Sequence, residues 1–357
     1  MTDLELVDVH KVFSAAGRDD VHAVAGLDLR VGGGELVGLL GPSGCGKSTT
    51  LRMIAGLEEV TSGDVRVGSK SMLGLPPQQR NIGVAFENYA LYPPLTVREN
   101  IAFGLAARRM GDQAKRIDEV AERIGLADIL DTKPAALSSG QKQRVALARA
   151  IAREPDVLLL DEPLSHLDAA QRDLTRRELR RLQQDLGYTT ILVTHDQEEA
   201  LSLADRVVVM AAGVAKQVDA PDAIYDDPED LFVAQFVGEP AMNLFDAAMT
   251  EESTVVLGES VLPVRVASSG PHEVVVGVRP EDVSLVGQAD AVAAATVVVY
   301  EDVLEYGLVT LDLPGVSTRL TAQTESGLAL AAGDRVHVAF VVERTFVFER
   351  ESGKRVR

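Results

Sequence analysis

The stretch GLLGPSGCGKSTTLRMIAGL, residues 38–57, runs from an apolar segment through a glycine-rich turn into a helical pattern, and few folds accommodate that succession. Gly41, Gly44 and Gly46 are expected to give the backbone positive φ and to turn its N–H groups inward, while STTLRMIAGL begins a helix whose positive dipole end faces the same cavity. Such a cavity suits a phosphate chain. From Gly41 through Pro42, Ser43, Gly44, Cys45 and Gly46 to Lys47 and Ser48, with Thr49 following, the spacing fits G-x-x-x-x-G-K-[ST]. In that pattern the lysine reaches the β- and γ-phosphates of a nucleotide and the hydroxyl binds Mg²⁺. The plainer alternative, a turn that merely caps a helix, does not account for the strand before it and the lysine–hydroxyl pair after it.

A chain of 357 residues is long enough for about two domains with separate cores. The 35 basic and 54 acidic residues give a net charge of -19, which repels nucleic acid and anionic lipid unless a basic face is concentrated locally. The nearest candidate, RRELRRLQQDLG, carries Leu179, Leu182 and Leu186 at helical spacing, so its arginines read as a solvated face and no nucleic-acid partner is expected. Cys45 is the only cysteine, so no internal disulfide forms; within the loop it reads as a small space-filling residue more than a reactive thiol. The beginning MTDLELVDVHKVF has no basic segment leading into an apolar one, and no run of ~18 apolar residues occurs, so neither a signal peptide nor a membrane span is expected.

Up to residue 235 the apolar runs VGLLG, IGVAF, VLLLD, TTILVTH and RVVVM alternate with amphipathic helical stretches, the pattern of an α/β domain with a largely parallel sheet. From 236 to 357 the texture changes to β-branched runs such as HEVVVGV, ATVVVYEDV, GLVTLDL and RVHVAFVVERTFVFER, broken by Gly, Pro and Asp. A smaller all-β domain, a barrel of the oligonucleotide/oligosaccharide-binding type, is expected there.

DVLLLDEPLSHLD places Asp161 and Glu162 at the end of a buried parallel strand, at the carboxyl edge of the sheet. Asp161 is expected to hold Mg²⁺, directly or through water, and Glu162 to polarise the attacking water. TTILVTHD ends in His195, a candidate sensor or stabiliser of charge developing at a γ-phosphate. The remaining histidines lack metal-ligand spacing, so no zinc site is expected. In LSSGQKQRVALARA, hydroxyls and a glycine precede a helix, making a second anion-binding helix start. One polypeptide needs a single phosphate loop for one ATP, so the second start suits a nucleotide held by another subunit.

In their order these motifs resemble the ATP-binding-cassette ATPases, and the resemblance spans nearly the whole chain. The family pattern at residues 137–141 is L-S-G-G-Q; Leu137, Ser138, Gly140 and Gln141 match it, and Ser139 replaces a glycine. The resemblance implies that Ser138, Gly140 and Gln141 contact the ATP of a partner cassette. It further implies that Phe13 stacks on adenine and that Asp168 lies in the loop crossing a dimer interface. Glu87 stands where the family usually has a glutamine that contacts Mg²⁺ and water.

NYALYPPLTVRENIAFGL is similar to the segment by which importer ATPases receive the coupling helices of their permeases, and FVGEPAMNLF and VGVRPEDVSL resemble the accessory β-domain of sugar and glycerol-phosphate importers. The resemblance implies an ATPase at the cytoplasmic face of the membrane, working with a second cassette, two permease subunits and, through the complex, an extracytoplasmic solute-binding protein. The tyrosine in ALYP and the MNL segment lean toward carbohydrate cargo over polyamine, sulfate or iron, by analogy. A soluble cassette ATPase of DNA repair or translation usually carries a coiled-coil insertion, a second cassette or a basic surface, none of which is visible in this sequence.

Overall fold

The computed structural model describes residues 2–14, 17, 19–106, 112–252, 254–265 and 270–357. Two compact units divide at Pro221/Asp222.

The first unit contains two sheets. In chain order its elements are β1 (Leu4–Phe13), β2 (Val21–Val31), β3 (Leu36–Leu40), α1 (Lys47–Ala55), β4 (Ser62–Val67), β5 (Lys70–Ser71), β6 (Ile82–Ala85), α2 (Val97–Ala106), α3 (Gln113–Arg123), α4 (Ser139–Ile151), β7 (Val157–Asp161), α5 (Ala169–Leu186), β8 (Thr189–Thr194), α6 (Gln197–Leu203), β9 (Arg206–Ala211) and β10 (Val214–Asp219). The main sheet has the order β10-β9-β3-β8-β7-β6. Its five strands from β9 to β6 are parallel, and β10 closes the edge as an antiparallel hairpin partner of β9. All five apolar runs read from the sequence are these parallel strands. β3 and β8 are buried at every position; β3 reads as an unbroken apolar run and β8 as an apolar run between threonines.

A second, antiparallel sheet of order β2-β1-β4-β5 adds to the parallel one expected. Its strands alternate buried and exposed residues: Leu4, Leu6, Val24 and Leu27 enter the same core as Leu39 of β3 and Leu51 of α1, while the opposite face meets solvent. Burial of each such side chain stabilises the unit by about 1.5–3 kcal/mol.

The second unit takes in α7 (Pro221–Asp226) from its second residue, and α8 (Leu231–Phe236), segments that the sequence texture places almost wholly within residues 1–235. It continues through β11 (Asn243–Met249), β12 (Thr254–Leu257), β13 (Ser260–Arg265), β14 (His272–Val278), β15 (Val283–Val286), β16 (Ala293–Asp302), β17 (Gly307–Asp312), β18 (Leu320–Thr324), β19 (Arg335–Phe340), β20 (Thr345–Glu349) and β21 (Arg355–Val356). These strands form two antiparallel sheets, β13-β12-β11-β14-β20-β21 and β15-β19-β16-β17-β18, in the all-β domain expected from the sequence. Phe245, Val255 and Val276 of the first share one core with Val297, Val309 and Val338 of the second.

A charged side chain ties the helical start of this unit to its strands. Arg279 is fully buried and donates from Nη1 to the Val237 carbonyl and from Nη2 to the Tyr225 carbonyl, both at 2.7 Å, with its guanidinium 3.6 Å from the centre of the Tyr225 ring. Burial holds this guanidinium below the usual arginine range, and the carbonyl and ring contacts compensate its lost hydration. Gly238, at φ 123, makes room for it: a Cβ there would lie 2.4 Å from Arg279 Nη1.

Candidate functional site

Three neighbouring parallel strands deliver the candidate residues to one edge of the main sheet. The loop 41–46 leaves the carboxyl end of β3, Thr194 and His195 close β8 beside it, and Asp161 and Glu162 close β7 one strand further. Carboxyl edges of parallel strands are where α/β folds place ligands.

The loop is glycine-rich for two different reasons. Gly44 and Gly46 have positive φ, 80° and 106°, as expected. Gly41 is outside that region, which corrects the expectation that all three use positive φ. Its requirement is close approach, because a Cβ there would lie 2.3 Å from the Met210 carbonyl oxygen of β9 and 2.7 Å from Cys45 Sγ. At Gly46 both reasons apply, since a Cβ would lie 2.3 Å from the Ala23 carbonyl oxygen of β2. The turn between β9 and β10 braces the loop from below, with the Gly213 N–H donating to the Cys45 carbonyl at 3.1 Å.

Helix α1 starts from Gly46 without a side-chain cap, so its first-turn N–H groups receive none of the usual local acceptors. Lys47 is 5% exposed and folds over the loop, donating from Nζ to the carbonyls of Gly41 at 2.6 Å and Pro42 at 3.0 Å. Among the described residues no carboxylate lies within ion-pair distance of it. A buried ammonium held by two carbonyls and, at 3.7 Å, by Cys45 Sγ, beside uncapped helix N–H groups, is a cradle that fits a polyphosphate. Ser48 is exposed and Thr49 half-buried at the same helix start, whereas Pro42 and Ser43 form the exposed rim. Cys45 is buried and joins the apolar core, in keeping with a space-filling role.

Opposite the cradle stand three carboxylates. Burial first, then the charges of Glu162 and Glu87, holds the Asp161 carboxyl above the ordinary carboxylate range, while Arg52 and Lys47 pull it back. Glu87, exposed after β6, lies 3.7 Å from His166 Nε2. No group of three His, Cys, Asp or Glu among the described residues could hold a metal ion alone. Ser48, Asp161 and Glu87 offer oxygen donors only, the type that suits a hard cation such as Mg²⁺.

Glu162 sits at φ 45°, a conformation a non-glycine residue keeps only where its surroundings enforce it. Its N–H donates to the Val193 carbonyl at 2.8 Å, and its Oε2 lies 3.0 Å from His195 Nδ1. The two residues selected from separate strands thus meet as a pair, with the Glu162 side chain 21% and the His195 ring 57% exposed.

Ser138 and Gln141 form a capping box at the start of α4: the Ser138 hydroxyl oxygen accepts from the Gln141 N–H at 3.3 Å, and Gln141 Oε1 accepts from the Ser138 N–H at 2.9 Å. The Ser138 hydroxyl proton stays free to donate elsewhere. Ser139 is the first helical residue, so it tolerates a side chain where the family pattern has glycine. A Cβ on Gly140 would meet nothing closer than 3.9 Å, so the fold of this chain does not require glycine there. Asp168 caps α5, its Oδ1 accepting from the Gln171 N–H at 2.9 Å. No hydrogen bond among the described residues joins Ser138, Gly140, Gln141 or Asp168 to the loop 41–49. Phe13 ends β1, 42% exposed, with Lys11 Nζ 4.7 Å from its ring centre.

Several participants escaped the sequence. Arg149 of α4 donates from Nη2 to the Tyr89 carbonyl at 2.8 Å and from Nη1 to the Ala90 carbonyl, holding two residues of positive φ just after Glu87. Thr194, Arg172, Asp196 and Glu199 surround the Glu162–His195 pair. Only the arginine-rich helical stretches hinted at the first of these.

Comparison with known proteins places these features in context. The family model described as ABC transporter matches residues 24–165, the model MalK OB fold domain matches 238–283, and the model TOBE domain matches 276–348. The trehalose/maltose import ATP-binding protein MalK of Thermococcus litoralis is 43% identical over 378 aligned positions, covering 100% of both chains. The diacetylchitobiose uptake system ATP-binding protein MsiK of Streptomyces coelicolor is 43% identical over 94% of both. The sn-glycerol-3-phosphate import ATP-binding protein UgpC 2 of Agrobacterium fabrum is 43% identical over 98% of this chain and 94% of its own. Among solved structures, a dimeric ATP-binding cassette in a post-hydrolysis state with ADP and Pi superposes with TM-score 0.55 at 31% identity, covering 61% of this chain and 98% of that one.

Proposed function

The chain belongs to the ABC transporter family of ATPases, and from that premise we propose that it is the energising subunit of a solute importer, with a carbohydrate as cargo. The observation that carries the reading is the convergence of the Lys47 cradle, Asp161 and the Glu162–His195 pair on the carboxyl ends of three adjacent parallel strands. The import functions carried in the names of full-length relatives support the cargo class. We keep residues 1–235 as the cassette and 236–357 as the accessory domain in functional terms.

In this reading the backbone of residues 41–48 and Lys47 hold the β- and γ-phosphates of ATP, and Phe13 stacks on its base. Ser48, Asp161 and Glu87 would hold Mg²⁺, which neutralises phosphate charge when bound. Glu162 takes the proton of the attacking water, and His195, 3.0 Å away, fixes the carboxylate and donates toward charge growing on the transferred phosphoryl group. Ser138, Gly140 and Gln141 serve the nucleotide of a second cassette. A free Ser138 proton and a glycine that the fold itself does not need both favour close approach of an outside phosphate.

Closure of two cassettes on ATP then drives a pair of membrane permeases, and loss of the γ-phosphate reopens them. No helix among the described residues is long and apolar enough to cross a membrane. We place the subunit on the cytoplasmic face through a groove of about 460 Å³ that includes Leu57, Phe86, Tyr92 and Phe103, the last two with ring centres 4.3 Å apart. Exposed aromatics beside Arg149 of α4 and Arg153 just after it suit an amphipathic segment of a permease. Affinity purification from membranes, followed by a ligand screen on the co-purifying binding protein, tests the assignment: two membrane subunits and a sugar ligand are expected. Recovery of only soluble nucleic-acid or ribosomal partners contradicts it.

Glu87→Gln is expected to raise basal hydrolysis several-fold and to flatten its Mg²⁺ dependence. The substitution removes a negative charge that acts on Asp161 and restores an amide donor beside the γ-phosphate. Hydrolysis measured across an Mg²⁺ titration checks this, and superimposable curves for the two forms leave Glu87 no part at the metal.

A further inference from the structure

Behind His195 lies a polar cluster to which the reaction above gives no task. Glu199, on α6, is 3% exposed. Its Oε2 accepts from the Thr194 hydroxyl at 2.5 Å, the Thr194 oxygen accepts from the Asp196 N–H at 3.0 Å, and Asp196 Oδ1 accepts from the Glu199 N–H at 3.0 Å. This ring of three hydrogen bonds clamps the backbone on both sides of His195. The second carboxyl oxygen of Glu199, Oε1, is fully buried without a hydrogen-bond partner. Glu199, Thr194 and His195 line one cavity of about 70 Å³ with Glu162, Asp196 and Arg172. That is room for a few water molecules among polar walls.

The surroundings favour a neutral acid. From β8 and the turn after it, Thr194 and Asp196 face the carboxyl; Glu162 approaches from the end of β7 and Arg172 from α5; β3, which packs on α6, contributes only Leu, Val and Gly. Burial above all, with the charges of Asp196 and Glu162, pushes Glu199 up to about 8 against the pull of Thr194 and Arg172. Ionisation would leave Oε1 a buried charge without a donor, next to two carboxylates.

We propose that Glu199 is a positioning residue for hydrolysis: as a protonated acid it locks the Thr194–Asp196 turn so that His195 stays on Glu162, and its ionisation loosens that turn. The proposal rests on Glu162 and His195 being the hydrolytic pair. No bond to substrate is made by Glu199, so its effect falls on kcat and its pH dependence, not on KM for ATP.

The test is the pH profile of MgATP hydrolysis by the full-length chain and by Glu199→Gln. As pH rises through about 8, kcat of the parent falls, and Glu199→Gln lacks that limb. The ratio of variant to parent therefore climbs roughly tenfold between about pH 7 and pH 9. Parallel profiles overturn the proposal. Stability gives a readout independent of turnover. The native state keeps a proton that the unfolded chain releases above about 4.5, so this residue's contribution is full below that pH and is lost as pH rises toward about 8. Glu199→Gln should remove that decline from the pH dependence of the urea midpoint, and an unchanged dependence counts against the idea. Should Glu199→Gln not fold, Thr194 carries the test. Thr194→Val is expected to lower kcat about tenfold at constant KM, because it removes a hydrogen bond made to a buried acid, with Thr194→Ser restoring it; equal rates for Val and the parent overturn the proposal. Glu162→Gln assayed beside them separates the two levels. If it loses turnover while the Glu199 profiles stay parallel, only the positioning role falls, and if it keeps turnover the hydrolytic pair itself is wrong.

Discussion

Glu162→Gln should lower MgATP hydrolysis by about 10²–10⁴-fold, the span of general-base contributions, while leaving ATP affinity within a few-fold of the parent. The amide is nearly isosteric with the carboxylate, and its oxygen can still accept from His195 Nδ1, 3.0 Å away, so the pair keeps its place. What it loses is the ability to take a proton from water. The phosphate cradle is built by other residues: Lys47 on the Gly41 and Pro42 carbonyls, and the uncapped start of α1. Steady-state rates together with binding of a fluorescent ATP analogue check both halves, and hydrolysis near the parental rate would remove Glu162 from the role of base.

Gly46→Ala should weaken ATP binding far more than Gly44→Ala, although both glycines have positive φ. A Cβ at position 44 meets nothing within 4 Å, so the cost there is the left-handed conformation alone, about 1–2 kcal/mol. At position 46 the same conformational cost is joined by a contact of 2.3 Å with the Ala23 carbonyl oxygen, and backbone of β2 cannot swing away as a flexible side chain would. The loop must shift off β2, carrying Lys47 and the first N–H groups of α1 with it. On the order of 100-fold lower affinity is expected for Gly46→Ala, corresponding to about 2.7 kcal/mol. Binding isotherms for the two variants, with circular dichroism to verify folding, decide the matter; equal losses would show that φ, and not the β2 contact, governs the loop.

The glycines also show where reading a sequence stops. The pattern 41–48 announces a phosphate loop because its spacing is local, but the reason for Gly41 is not local: it is the Met210 carbonyl, brought there by β9 across 169 positions of chain. The central strands were legible for a simple reason. VGLLG is apolar throughout, and VLLLD and TTILVTH keep their polar residues to the ends of a buried apolar run. β1 and β2 wet one face, and their alternation is broken at Val7–Asp8 and at Ala25–Gly26, so the antiparallel sheet went unread. In the second unit the strands were recognised, but the division into two sheets depends on which strands pair, and pairing of residues as far apart as Val274 and Glu349 is invisible to periodicity.

The site divides along the same line. Asp161 ends an apolar strand, Glu162 and His195 follow one directly, and Lys47 comes after the short loop that leaves β3, so the sheet carries them to one edge without any long-range inference. Glu199 offers no such signal. In QEEAL it looks like any acidic residue of a helix's first turn, and only the packing of α6 on β3 and β8 shows that one glutamate of the two is buried while Glu198 pairs with Arg176 at the surface. The 3.7 Å approach of Glu87 to His166 likewise joins two loops that the sequence holds 79 positions apart.

In the proposed function, ATP bound by the phosphate loop of one chain is completed by the start of α4 from another. Photolabelling tests it most directly, with an ATP derivative bearing a photoreactive group on its γ-phosphate and a mixture of untagged Glu162→Gln chain and tagged Lys47→Ala chain. Because the tagged chain has lost the ammonium that holds phosphate, label reaching it must come from nucleotide seated in its partner. Label in the tagged chain within residues 137–141 is the predicted result, and label confined to the untagged chain would contradict the account.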